Sequence, residues 1–330
     1  VGEGRPTIYD VARRCGVAAS TVSRAFSNPS RVNAATRTRI RAAAVEIGYE
    51  PRPLARAEAP GRSRTLMLVV TDIANPYYAA MIKAVQSRAI ERHYALALTD
   101  SDESPQVEAG NLRHLLANST GGILATSRLA DDAVRQLARH RPLVMVNRVI
   151  DGLPSLVVDT AGGMRTAVRH LAAFGHRRIA YLSGPRNSWI NGQRWTAVHE
   201  EAAALGVQSV YLGPHPPTRE GGRDAAEAFV LDGATAAIAY NDLVAIGAMQ
   251  RVRDVGLRVP VDRSIVGCDD IFGADLVGLT TIAGPAGQVG GAAVDLVHAE
   301  LTGAATWSRT FDAHLVVRDS TGPAPATDGN

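Results

Sequence analysis

The stretch TIYDVARRCGVAASTVSRAF, Thr7 to Phe26, decides how the N-terminus folds. Thr7 can cap a helix, and Asp10 falls near the positive end of that helix's dipole. Ile8, Val11 and Ala12 recur at the spacing of one helical face. Gly16 breaks the helix, Val17 follows, and Ser20 to Phe26 read as a second short helix. Further out, Asn33 can cap a third helix carrying Ile40, Ala44, Val45 and Ile47, with Gly48 as its stop. Two short helices joined at a glycine and buttressed by a third describe a helix-turn-helix. Charge agrees: residues 1–60 hold ten Arg and five acidic residues, a net of +5, so with a chain total of +3 the remainder sums to −2. A basic head on a mildly acidic body points the head at a polyanion. The second helix is the one expected in the major groove, with Ala19, Ser20 and Arg24 towards base edges. Arg24 alone among them can contact guanine O6 and N7 in bidentate fashion. Thr21 and Ser23 carry short hydroxyls suited to phosphates or bases. The bland alternative is a three-helix bundle whose serine–threonine cluster only caps a helix.

The chain has 330 residues, enough for roughly two domains at about 150 residues each. Hydrophobic residues at 46% and charged residues at 20% are ordinary for a globular protein and argue against a disordered chain. No apolar run reaches the ~20 residues of a membrane helix, and no signal-like segment opens the sequence. Cys15 and Cys268 stand too far apart to form a disulfide framework or a four-ligand zinc site. A reducing cytoplasm is the expected location. Pro51, Pro53, Pro60 and Gly61 mark a linker over 51–64. Beyond it, apolar runs at Leu66–Val70, Ala95–Leu98, Gly122–Ala125, Leu143–Val146, Leu156–Val158, Ile179–Leu182, Ala236–Ala239 and Ser264–Gly267 alternate with amphipathic stretches of helical length. Alternating β and α elements imply parallel sheets covered on both faces, and this many strands imply two such sheets. The tail over 321–330 reads as disordered.

The head motif, continued through Thr36-Arg37, Ile40, Gly48-Tyr49, Pro51 and Ala55-Arg56, resembles the lactose/galactose repressor (LacI/GalR) family. Asp72-Ile73-Ala74-Asn75-Pro76-Tyr77-Tyr78, Gly175-His176-Arg177-Arg178-Ile179, Ala239-Tyr240-Asn241-Asp242, Val266-Gly267-Cys268-Asp269-Asp270, Leu279-Thr280-Thr281-Ile282 and Leu315–Thr321 extend the resemblance in order along the body. It implies an all-α helix-turn-helix head (1–50), a hinge (51–64) and an α/β body like a periplasmic binding protein (65–320). The body would have two parallel-sheet subdomains, one of about 65–158 plus 285–320 and the other of about 160–282. Three crossings near Val158–Thr160, Ile282–Pro285 and Ala313–Val316 would join them. The DNA-facing set is completed by Thr7, Asn33 and Tyr49 in the head and by Leu54, Ala55 and Arg56 in the hinge. Glu58 stands where many members carry a leucine that wedges into the minor groove, a role a carboxylate cannot take.

Ligands of open α/β sheets bind outside the carboxyl ends of the strands. That rule nominates Asp72, Asn75, Tyr77, Tyr78, Asn147, Arg148, Asn241, Asp242 and Asp269, with Arg194 at the head of a helix. Carboxylates, amides and an arginine can grip vicinal hydroxyls, and an aromatic ring can cover a sugar's apolar face. The resemblance places Asn147, Arg194, Asn241 and Asp269 at the effector site. For Asp72 and Asp242, capping the next helix is an equal reading. Arg223 stands near a position often aromatic in the family and would suit a more polar or anionic ligand. No catalytic constellation, metal site or cofactor motif appears among the scattered histidines. The implied protein is a repressor that binds a near-palindromic operator as a homodimer and is released by a small sugar-like effector. Two alternatives remain: a corepressor design with a purine or nucleoside ligand, and a solute-binding receptor, which would have no use for the basic head.

Overall fold

The structure, a computed structural model, describes residues 7–27, 32–47, 49 and 64–326. It contains two compact units, a head up to Arg62 and a body from Ser63. The head holds α1 (Ile8–Cys15), α2 (Ala19–Ser27) and α3 (Ala34–Glu46). Gly16 ends α1 in the left-handed region at φ 61°, where a side chain would be strained. Val11, Cys15, Val22, Ala25, Ile40 and Ala44 form one buried cluster from all three helices. Full burial of Val22 and Ile40 stabilises the head by about 1.5–3 kcal/mol each. An Arg14–Glu46 ion pair links α1 to α3 on the surface.

The body runs β1 (Thr65–Val70), α4 (Tyr77–Glu91), β2 (Ala95–Asp100), α5 (Pro105–Asn118), β3 (Gly121–Ala125), α6 (Asp131–Ala138), β4 (Leu143–Val146) and β5 (Ser155–Val158). It continues through α7 (Thr160–Ala173), β6 (Arg178–Leu182), α8 (Trp189–Ala204), β7 (Gln208–Leu212), α9 (Arg219–Asp232), β8 (Ala236–Ala239), α10 (Asp242–Asp254), β9 (Ser264–Cys268) and β10 (Thr280–Ala283). Last come α11 (Ala286–Thr302), β11 (Arg309–Phe311) and β12 (His314–Val316). The described strands form two six-stranded sheets, ordered β11-β5-β4-β3-β1-β2 and β12-β10-β9-β8-β6-β7. Every pairing is parallel except β10 with β12. Strand β1 shows why both faces are covered. Leu66, Leu68 and Val70 pack with Met81 of α4 and Val294 of α11, while Met67 and Val69 pack with Leu112 of α5 and Val134 of α6. The period of two thus serves two apolar faces, and the strand reads as one unbroken apolar run.

The chain passes between the sheets three times, after Val158, after Ala283 and between Phe311 and His314. The crossings are packed together. The Asp159 N–H donates to the Phe311 carbonyl at 2.8 Å. Gly284 lies so close to Val158 that a Cβ there would come within 2.5 Å of its side chain.

Two expectations are corrected. The C-terminal strand β12 pairs antiparallel with β10 and belongs to the second sheet; only α11 and β11 return to the first. Residues 321–326 are docked as well. Gly322 donates its N–H to Ser264 Oγ at 3.1 Å and its carbonyl accepts from the buried His176, while the Ala324 N–H donates to the Phe174 carbonyl at 2.8 Å. Composition suggested disorder there, but these partners come from distant elements that a local reading does not see. Residues 327–330 lie outside the described residues.

Candidate functional site

In the head, α2 turns Val22 and Ala25 inward, which leaves Ser20 and Arg24 exposed four residues apart on the opposite face. Ala19, Thr21 and Ser23 flank that face, half-buried. Thr7 donates its N–H and its hydroxyl to the Asp10 carboxylate, at 2.9 and 2.6 Å. These bonds lower the Asp10 pKa, the side-chain bond most of all. Asn33 caps α3 by accepting the Ala35 N–H. Tyr49 packs against Phe26 with ring centroids 6.1 Å apart, so its ring helps close the bundle. Leu54, Ala55, Arg56 and Glu58 lie outside the described residues.

In the body, the carboxyl ends of both sheets face one cleft. Six residues other than glycine adopt a left-handed backbone there: Asp102 (φ 49°), Glu103 (55°), Thr126 (54°), Asn147 (54°), Asp269 (120°) and Asp270 (51°). Each follows a strand. Such conformations cost of order 1–3 kcal/mol each and concentrate where a ligand is gripped.

From the first sheet, Asn147 donates Nδ2 to the Tyr77 hydroxyl at 2.8 Å and accepts the Val158 N–H on Oδ1 at 3.0 Å. Its amide thus ties Tyr77 to the backbone at Val158, and the Tyr77 proton remains to be given. Burial pushes the Tyr77 pKa up, so the hydroxyl stays a donor. Tyr78 is buried with its hydroxyl between Thr71 Oγ1 (2.8 Å) and Thr126 Oγ1 (2.6 Å). Asn75 Oδ1 accepts the Tyr77 N–H, and Asp72 Oδ1 accepts the Ala74 N–H, which shapes the turn before α4.

From the second sheet, Arg194 is 5% exposed. It donates Nε to Thr160 Oγ1 at 3.1 Å, Nη1 to the Tyr240 carbonyl and Nη2 to Asp269 Oδ1 at 3.5 Å. Its guanidinium lies over the Tyr240 ring at 5.0 Å. Burial pushes the Asp269 pKa up to about 7; Arg194 opposes the rise and Asp242 adds to it. Asp242 is raised to about 6 by its own burial. It accepts the Thr281 hydroxyl and the Ile271 N–H and so anchors the loop that carries Asp269. The helix cap is its neighbour Asn241, which accepts the Val244 N–H and donates to the Pro217 carbonyl.

Asn75, Tyr77, Tyr78, Asn147, Arg194, Asn241 and Asp269 thus meet around one cavity of about 30 Å³ between the halves. Asp72 lines a second chamber of about 610 Å³, also shared by both halves, with Asp102, Arg186 and His215. Arg148 is turned away, bonded to the Ser127 carbonyl and paired with Asp131. Arg223 is a correction: it sits on α9 paired with Asp254 of α10 at 2.8 Å and lines neither cavity. In the second turn of α9 the buried Gly222 packs on Val244 of α10, and the adjoining Arg223 reaches Asp254 of that helix instead of the cleft. Thr71, Glu103, Thr126, Ile190, Pro217 and Tyr240 line the inner cavity and were missed. The strand-end rule, applied to Gly122–Ala125, would have found Thr126, and Tyr240 directly precedes Asn241 in a motif already quoted. Nothing local marks Glu103 or Pro217.

A helix-turn-helix head and a two-lobed α/β body with a polar cleft between its lobes define a ligand-responsive, DNA-binding transcriptional repressor. The chain belongs to the lacI family of bacterial regulatory proteins: residues 7–52 match that family, and residues 168–321 match the periplasmic binding protein-like domain. It is 32% identical to the HTH-type transcriptional repressor CytR of Escherichia coli (strain K12) over 98% of both chains. The lac repressor dimer bound to operator and the anti-inducer ONPF superposes with a TM-score of 0.78 at 27% identity, over 97% of this chain and 100% of that one. The complex of the transcriptional regulator CelR with cellobiose does so with a TM-score of 0.71 at 27% identity, over 96% and 100%. Among the described residues no helix is long and apolar enough to cross a membrane.

Proposed function

We propose that the effector is a neutral, polyhydroxylated small molecule of the sugar class, and that its binding releases a homodimer of this chain from a near-palindromic operator. One observation carries the reading: the desolvated Arg194–Asp269 pair on one lobe faces the Tyr77–Asn147 pair on the other across a single cavity. A carboxylate that accepts and a phenol and guanidinium that donate match the vicinal hydroxyls of a sugar. The complexes of the lac repressor with ONPF and of CelR with cellobiose support the class.

A cavity of about 30 Å³ has room for no more than about two waters. A sugar ring enters only as the lobes part, so the effector favours one interlobe angle over another. The three crossings are the hinge for that rotation, and the linker over 51–64 is the route by which it changes the spacing of the heads. The coupling is expected at ~1–3 kcal/mol per site. The chain acts as a binding protein and not as an enzyme: its relatives are regulators, and the cleft pairs suit hydrogen bonding to hydroxyls. Its operator places it in the bacterial cytoplasm.

The test is operator binding by the full chain, followed by fluorescence anisotropy, against a panel of mono- and disaccharides. A roughly 5- to 150-fold loss of operator affinity with one of them supports induction. Tightening by a nucleoside instead would establish the corepressor design, and operator affinity unmoved by every ligand would refute the reading.

A further inference from the structure

We infer that Glu103 sets effector specificity at this cleft, admitting uncharged hydrogen-bond donors and rejecting phosphorylated ones. The inference rests on the sugar reading above and narrows it. Glu103 lines both the inner cavity and the outer chamber, so it stands where the two meet. Its backbone is left-handed at φ 55°, directly after Asp102 at 49°, which is a costly way to place a carboxylate. Arg128, whose side chain is 1% exposed, holds it there. Nε and Nη2 of Arg128 donate to the same oxygen, Glu103 Oε2, at 2.7 and 2.6 Å, and Nη1 donates to the Thr126 carbonyl at 3.1 Å. Arg128 therefore fixes one carboxylate oxygen and leaves the other, Oε1, to accept from a ligand.

The charges around the cavity point the same way. Its two carboxylates, Glu103 and Asp269, come from opposite lobes, and the cation beside each is already engaged, Arg128 by Glu103 and Arg194 by Asp269. Asp72 and Asp102 add two further acids on the chamber wall. On the facing wall Arg186 is exposed and screened by solvent, and His215 is half-buried with a lowered pKa because burial disfavours its charge. A phosphate needs free N–H groups or an unpaired cation. Here it would meet Glu103 and Asp102, whereas a hydroxyl or amino group would find an acceptor.

The test uses the full chain and three matched pairs, D-ribose with ribose 5-phosphate, D-glucose with glucose 6-phosphate, and uridine with uridine 5′-monophosphate. Thermal shift finds which pair binds and calorimetry measures both members. The neutral member should bind at least about tenfold more tightly. Glu103→Gln removes the acid and frees the Arg128 charge, so the gap should shrink by tenfold or more, with the neutral member itself weakened. Should that variant fail to fold with Arg128 unpaired, the double variant Glu103→Gln, Arg128→Met removes both charges and should still narrow the gap several-fold. Phosphorylated members binding as tightly as neutral ones, or a gap unmoved by either variant, would overturn the role of Glu103 and leave the sugar reading standing. A panel with no binding in any pair would overturn both.

Discussion

Replacing Arg194 by methionine should have a pH-dependent cost, because Arg194 opposes the raised pKa of the buried Asp269. Arg194 bonds to Thr160, to the Tyr240 carbonyl and to Asp269. Asp269 has a pKa raised by burial to about 7, and Arg194 is the charge that opposes the rise. Without Arg194 that pKa climbs further. A carboxyl whose folded pKa exceeds its unfolded value stabilises the fold below the unfolded pKa, and this contribution is lost as pH rises towards the folded pKa. The wild-type loss therefore runs from about pH 4 to about 7, whereas the variant goes on losing stability above 7. Well below pH 7 Asp269 is mostly protonated in both proteins. The difference there is the lost packing and the two remaining bonds of a charged donor, about 2–4 kcal/mol. Above pH 7 it should grow by about 1.4 kcal/mol per pH unit until the new pKa is reached. Urea unfolding of wild type and Arg194→Met at pH 5, 6, 7, 8 and 8.5 measures the difference directly. A difference that stays flat across this range would refute the coupling of Arg194 to Asp269.

The head and the outer surface give further predictions. Arg24→Ala should cost ~1–3 kcal/mol in specific operator affinity and relax base preference at one position, read by competition against a library of operator variants. Arg223→Ala should leave effector affinity unchanged and shift stability by no more than ~1 kcal/mol, because its pairing with Asp254 is exposed; a weakened effector isotherm would return Arg223 to the site. Ending the chain at Ser320 removes the Gly322 carbonyl that His176 bonds to and the Ala324 N–H bonded to Phe174, so the melting curve should fall by the equivalent of about 2–4 kcal/mol. An unchanged melting temperature would mean that this segment contributes nothing to the fold.

What the sequence disclosed follows from the range of the interactions involved. The head is local: a cap at Thr7, a left-handed glycine at position 16 and three short apolar faces define it without help from distant residues. Central strands such as Leu143–Val146 are buried on both faces and so appear as unbroken apolar runs. Strand β7 is an edge strand with Gln208 and Tyr211 exposed, and β11 has three residues with only Phe311 buried; neither presents such a run. The same division holds in the cleft. Asn147 and Asp269 directly follow strands and were legible as strand ends; Arg194, expected at the head of a helix, lies in the second turn of α8, which begins at Trp189. Glu103 was not, because its place depends on a strained turn and on Arg128, twenty-five residues further on. Asn147 and Asn241 were found, but not their work: each amide bridges two neighbours, which only three-dimensional partners reveal.

The late return of the chain to both sheets bears on how the protein is made. The first sheet lacks its outermost strand until Phe311 is in place, and the second lacks its own until Val316. Each lobe therefore keeps an unpaired strand edge, β5 in one and β10 in the other, until β11 and β12 have been synthesised. The pairing of β5 with β11, which joins strands from opposite ends of the body, is the slow one. While synthesis continues, the nascent repressor exposes two strand edges with unpaired backbone N–H and C=O groups, and a chaperone that shields them would act on this chain before it ever meets DNA.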